Sequence, residues 1–282
     1  MIMDKKIAVI GAGVMGCGVA QVFAQCGYQV ILHDQSQAVL EKAISSIHQN
    51  TRIIALMGKQ EDTSDEVMKR IVCTTNLDEA AGVSYIIENI TELVEEKEAL
   101  YTRMRNMIQP DAIVMVNTSC ISITYIASLL KEPKHVIGTH FMNPVPMMDA
   151  VEVIRGYHTC DSTMEMTTRI IGDIGKEAIV VNDMPGFVSN RISHLMMNEA
   201  AFVVQDQVAE AKVVDEIFRK CYSHKMGPLE TADLIGLDTV VQSLDILYTN
   251  FQDSKYRCCP LLRKMVDAGL LGRKSGQGFY TY

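Results

Sequence analysis

Residues 5 to 18 read KKIAVIGAGVMGCG, an apolar run broken by Gly11, Gly13 and Gly16 in G-x-G-x-x-G spacing. Ile7 to Ile10 suits a buried strand and Met15 to Cys26 a helix, so the glycines fall at a strand-to-helix turn. They permit a tight turn and let backbone approach a pyrophosphate, whose charge meets unpaired N–H groups at the helix N-terminus. A second apolar run, Gln29 to Leu32, leads to Asp34, 18 residues past Gly16, where an acidic side chain can receive a ribose 2′-hydroxyl. The stretch His33 to Gln37 holds no arginine or lysine for a 2′-phosphate, which favours NAD over NADP. The competing readings are a glycine-rich turn without nucleotide and, for Asp34 alone, a helix cap.

The rest of the chain alternates and then changes texture. Residues 36–57 and 63–71 read as two helices joined by a Gly58–Asp62 turn, a hairpin inserted between strands. Apolar runs at Tyr85–Ile87, Ala112–Val116 and Val136–Ile137, with helical stretches at 93–107 and 122–130, have the rhythm of a parallel sheet with crossover helices. Strands are predicted at Ala150–Ile154 and Ala178–Val181, with a helix over 162–174. Beyond Pro185 the strand signals fade and amphipathic stretches cover about 186–207, 211–221, 230–250 and 259–268. The expected division is 1–183 for an α/β dinucleotide-binding domain and 184–282 for an all-α domain.

With 282 residues, 48% of them hydrophobic, the chain can bury one large core or two smaller ones. A net charge of −8 with dispersed lysines and arginines leaves no basic stripe for nucleic acid. No apolar run reaches the roughly 18 residues of a membrane span. The start MIMDKK leads straight into the first strand, so a cytoplasmic protein is expected. Eight cysteines show no C-x-x-C or Cys/His spacing and are read as reduced thiols, with no metal expected.

Chemistry gathers around residue 140. His140 stands just beyond a strand end, where open parallel sheets bind ligands. Twelve residues on, Glu152 interrupts the apolar run Val151–Ile154, and a buried carboxylate needs a partner. If the chain reverses through Asn143 to Met148, Glu152 returns beside His140, fixes its tautomer and raises its basicity. The competing reading is a core histidine and a strand-edge glutamate. Asn117, Thr118 and Ser119 follow another strand at the cofactor edge, where Ser119 either bonds a substrate oxygen or caps the next helix.

The motifs GAGVMGCGVA, ENITE, NTSCISIT, GTHFMNPVP, VEVI, MPGFVSNRI, MGPLETADLIGLD and GRKSGQGFY follow the order of the 3-hydroxyacyl-CoA dehydrogenases, which the chain resembles over nearly its whole length. The resemblance implies a Rossmann-type N-terminal domain and a helical C-terminal domain that carries a dimer interface. It implies His140 as general acid/base, Glu152 as its orienting partner, and Ser119 and Asn190 as donors to the substrate oxygen. Glu92 and Lys97 would lie near the nicotinamide half of NAD, although as bare sequence they read as a solvated helix face.

Departures from the family pattern bear on the substrate. Met142 replaces a second aromatic after His-Phe, Asp149 and Ala150 replace Lys-Leu before the VEVI strand, and Ser223, His224 and Lys225 precede MGP. The hairpin offers only Lys42, Arg52 and Lys59 between positions 36 and 60 for CoA phosphates. One alternative is therefore an acyl-carrier-protein-tethered hydroxyacyl unit, as in polyketide extender-unit synthesis. The others are a dehydrogenase of a free hydroxy acid and a non-catalytic relative that only binds NAD.

Overall fold

A computed structural model describes residues 5–56, 62–80 and 82–282. The expected Gly58–Asp62 turn, apart from Asp62, and Lys59 lie outside the described residues, as do Met1 to Asp4. The chain divides into two compact units, Met1–Asp183 and Met184–Tyr282.

In the first unit the elements run β1 (Lys6–Ile10), α1 (Val14–Gln25), β2 (Gln29–His33), α2 (Gln37–Leu56), α3 (Ser64–Met68), β3 (Ile71–Thr74) and β4 (Tyr85–Glu88). They continue through α4 (Val94–Met104), β5 (Ile113–Val116), α5 (Ile123–Ser128), β6 (Val136–His140), β7 (Ala150–Arg155), α6 (Asp161–Asp173) and β8 (Glu177–Asn182). One eight-stranded sheet results, ordered β3-β2-β1-β4-β5-β6-β7-β8. Strands β1 to β6 are parallel and β7 runs antiparallel to β6. The central strands are apolar almost without alternation because helices cover both faces, and Ile7, Val9, Ile86, Ile87, Met115 and Val116 are fully buried. The strand order reverses between β1 and β4, which opens a crevice at their C-terminal ends.

The glycine turn lines that crevice. Gly11 has φ +93°, a left-handed conformation, and a Cβ there would stand 2.7 Å from the Asn89 carbonyl oxygen. A Cβ on Gly16 would drive into the carbonyl oxygen of Gly11. Both glycines are required by the protein's own backbone.

The α/β architecture with an inserted helical hairpin agrees with the sequence expectation, with local differences. The stretch predicted as helix to residue 71 stops at Met68, and the four-residue β3 follows on the sheet edge, half-exposed and without alternation. In the second unit the helices are α7 (Ser189–Gln205), α8 (Ala211–Cys221), α9 (Pro228–Ile235), α10 (Leu237–Phe251) and α11 (Pro260–Asp267). The single helix predicted over 230–250 is broken at Gly236, whose φ of +106° no helix tolerates. Met197, Leu229, Leu237, Leu244 and Leu262 form this unit's core. Two buried carboxylates brace it: Asp215 accepts from the N–H groups of Leu229 and Glu230, and Asp233 from those of Phe279 and Tyr280.

Because the obstacle at Gly16 is backbone rather than a movable side chain, Gly16→Ala is expected to destabilise the protein by about 1 to 3 kcal/mol. A thermal-unfolding midpoint lowered by several degrees checks this, and an unchanged midpoint refutes it.

Candidate active site

The sheet register brings the first pair together. β7 pairs with β6 so that Glu152 lies opposite His140, on the same face. The Glu152 Oε2 to His140 Nδ1 distance is 3.0 Å, and the two residues are 8% and 5% exposed. An ionised Glu152 takes the Nδ1–H and leaves Nε2 as an acceptor. Ser119 Oγ stands 3.2 Å from that Nε2. A hydroxyl, an imidazole and a carboxylate thus form one hydrogen-bonded row, which can move a proton between His140 and an oxygen placed beside Ser119. The helix-cap reading of Ser119 does not hold: the N-cap of α5 is Ser122, whose side chain accepts from Tyr125 N–H.

Glu92 holds the loop that carries Ser119. Its Oε1 accepts from Thr118 Oγ1 at 2.5 Å, Ser119 N–H at 2.8 Å and Cys120 N–H at 2.9 Å. Its Oε2 lies 3.8 Å from Lys97 Nζ. Lys97 is no part of a solvated face: it is fully buried, and its Nζ donates to both carboxylate oxygens of Glu88 at 2.7 and 2.8 Å. Tyr101 OH and Ile90 N–H also donate to Glu88. Burial pushes the Glu88 carboxyl up, while Lys97, Tyr101 and Ile90 pull it down. Sequence reasoning missed Glu88 and Tyr101. The signal for Glu88 was present, because a carboxylate closes the apolar run Tyr85–Ile87 just as Glu152 interrupts Val151–Ile154.

Asn117 joins loops. Its Nδ2 donates to Asn89 Oδ1 at 2.7 Å and its Oδ1 accepts from Phe141 N–H at 3.2 Å, which links the ends of β4, β5 and β6. Asp183, also overlooked, accepts through one oxygen from Ser122 Oγ, Thr124 N–H and Thr124 Oγ1. Asn190 belongs to the second unit, where its carbonyl oxygen lies 3.0 Å from His194 Nδ1.

The crevice fits a dinucleotide. Gly13 is the N-cap of α1 and, lacking a side chain, makes no capping hydrogen bond to the helix's first N–H groups. Apart from its own chain neighbours, no described protein atom lies within 4 Å of a Cβ built on Gly13, so packing does not demand this glycine, whereas a pyrophosphate brought close to the helix end would. A groove of about 460 Å³ runs from Gly11 and Gly13 past Asp34 and Ser36. Asp34 is set at its rim, with Oδ2 accepting from Ala12 N–H and Oδ1 from Ser36 N–H, both at 3.0 Å. Among the described residues no cluster of three His, Cys, Asp or Glu is arranged to hold a metal ion, and no helix is long and apolar enough to cross a membrane.

Comparison with known proteins points the same way. Residues 6–184 match the family 3-hydroxyacyl-CoA dehydrogenase, NAD binding domain, and residues 186–282 the 3-hydroxyacyl-CoA dehydrogenase, C-terminal domain. A probable 3-hydroxybutyryl-CoA dehydrogenase of Deinococcus radiodurans is 46% identical, over 98% of this chain and 100% of its own. A 3-hydroxybutyryl-CoA dehydrogenase of Bradyrhizobium diazoefficiens is 41% identical, over 99% and 95%. The crystal structure of (S)-3-hydroxybutyryl-CoA dehydrogenase PaaH1 from Ralstonia eutropha superposes with a TM-score of 0.94 at 37% identity, covering 99% of each chain.

Two substitutions separate the roles argued above. Glu152→Gln, which removes the charge facing His140, is expected to lower kcat by about 100-fold while NADH still binds; unchanged turnover in steady-state assays refutes the pairing. Gly13→Ala is expected to leave the unfolding midpoint unchanged and to weaken NADH by about tenfold or more, the worth of a charge-assisted contact. Fluorescence titration reads the second, and undiminished affinity refutes it.

Proposed function

We propose that this chain, which belongs to the 3-hydroxyacyl-CoA dehydrogenase family, interconverts short-chain 3-hydroxyacyl-CoA and 3-ketoacyl-CoA esters, with 3-hydroxybutyryl-CoA the first candidate. It is an NAD-dependent oxidoreductase acting on CH–OH groups. The observation that carries the reading is the row Ser119, His140, Glu152, with Ser119 and His140 at 3.2 Å and His140 and Glu152 at 3.0 Å.

When bound in the groove, NAD would supply the hydride acceptor for C3, and NADH the hydride donor in the reverse direction. In the oxidising direction His140 Nε2 takes the hydroxyl proton as the carbonyl forms, and Glu152 stabilises the imidazolium that results. In reverse, His140 returns that proton to the carbonyl oxygen. Ser119 donates to the same oxygen and stabilises its developing charge, a role in which Asn190 is the second donor by family resemblance. Glu92 and Lys97 serve the nicotinamide end through the loop that Glu92 holds, Asn117 braces that loop, and Asp34 receives the ribose hydroxyls.

The names of the relatives favour CoA esters over a carrier-protein tether. Lys42 and Arg52 are exposed on α2, where they are free to meet phosphate. Dimerisation through the C-terminal helices belongs to the same proposal; Val213 and Ile217 on α8 are 45% and 47% exposed in the single chain.

The test follows NADH oxidation. His140→Ala is expected to lose about 10²- to 10⁴-fold in kcat with NADH binding nearly unchanged. Acetoacetyl-CoA is expected to exceed acetoacetyl-pantetheine in kcat/KM by roughly 10- to 150-fold, the worth of one charge-assisted phosphate contact. Equal rates for the two esters contradict the CoA reading, and wild-type turnover by the variant contradicts the role of His140.

A further inference from the structure

Helix α4 supplies part of the lining of the dinucleotide groove. Glu96, Ala99, Leu100 and Arg103 line it, at spacing i, i+3, i+4 and i+7 that puts them on one helix face. His33, Asp34, Gln35 and Ser36 line the same groove. The groove that Asp34 lines therefore also holds a guanidinium supplied from 69 residues further along the chain.

Arg103 is exposed and enters no salt bridge among the described residues. Its charge reaches the Asp34 side of the groove: burial is the main reason the His33 imidazole is held below its usual range, and Arg103 adds to it. Glu96 is the other acidic group lining the groove, in the first turn of α4 and seven residues before Arg103. Asp34 cannot swing aside, since Ala12 N–H and Ser36 N–H hold both of its oxygens. A 2′-phosphate brought to Asp34 would meet a carboxylate held by two backbone N–H groups and, lining the same groove, the Arg103 guanidinium.

We propose that Arg103 is a second determinant of dinucleotide choice: with the N–H groups now bound to Asp34, it forms a latent site for the 2′-phosphate of NADP(H), which the Asp34 carboxylate keeps closed. A guanidinium suits phosphate because its planar fork offers paired donors and never loses its charge. Removing the carboxylate releases the Ala12 and Ser36 N–H groups and ends the like-charge repulsion in one step. The inference rests on the reading that Asp34 receives the ribose hydroxyls.

The experiment measures dissociation constants of NADH and NADPH by nicotinamide fluorescence on the full chain, for the wild type, D34S, R103Q and the double variant. D34S is expected to loosen NADH and to tighten NADPH by about tenfold, the size of a charge-assisted contact. Adding R103Q is expected to erase the NADPH gain while changing NADH by less than about threefold, and the gain should shrink as salt rises. A gain that survives R103Q, or no gain in D34S when NADH has loosened, overturns the role of Arg103. If NADH binds D34S as tightly as wild type, it is the assignment of Asp34 that fails, and the latent site with it.

Discussion

A slip of one residue in the pairing of β7 against β6 would turn Glu152 to the opposite face of the sheet and take the carboxylate away from His140. The native register sets Glu152 opposite His140, and the return of the chain through residues 143–149 is what allows an antiparallel strand to supply it. A parallel neighbour would have required a crossover helix between the two residues. Twelve residues suffice because β7 reverses direction.

Around this pair, charge is handled by burial with compensation. Glu88 and Lys97 are both fully enclosed; Glu88 accepts from Lys97, Tyr101 and Ile90, and Lys97 meets the carboxylates of Glu88 and Glu92, so neither is stranded in a dry interior. The arrangement also places a fixed positive charge 3.8 Å from Glu92, which in turn holds the backbone at Ser119. The position of the Ser119 hydroxyl is therefore set by groups on β4 and α4 as well as by its own loop. That suits a donor that must meet a substrate oxygen without first paying for its own ordering.

Part of this is legible in sequence because its causes are local. The glycine spacing, the apolar strands and the anomalous Glu152 each announce themselves within a dozen residues. Lys97 does not: it sits in Glu95-Glu96-Lys97-Glu98, which is indistinguishable from a solvated helix face until β4 is laid beneath it. Arg103 escapes for the same reason, since a search for cations beside Asp34 along the chain misses one that α4 brings to the same groove. The short β3 was hidden because its apolar run Ile71–Cys73 begins at the end of the stretch 63–71 that periodicity reads as helix. Gly236 breaks a stretch that is otherwise amphipathic on both sides, so periodicity alone carried the helix through it.

The three glycines of the first turn answer to different masters. Gly11 and Gly16 are constrained by neighbouring backbone, whereas the space around Gly13, apart from its own chain neighbours, contains no protein atom within reach of a Cβ among the described residues. In a lineage that abandoned its dinucleotide, drift would not be uniform across the motif. Gly13 would be released first, while Gly11 and Gly16 persisted as long as the sheet itself did, so the middle glycine alone would record whether the pocket was still in use.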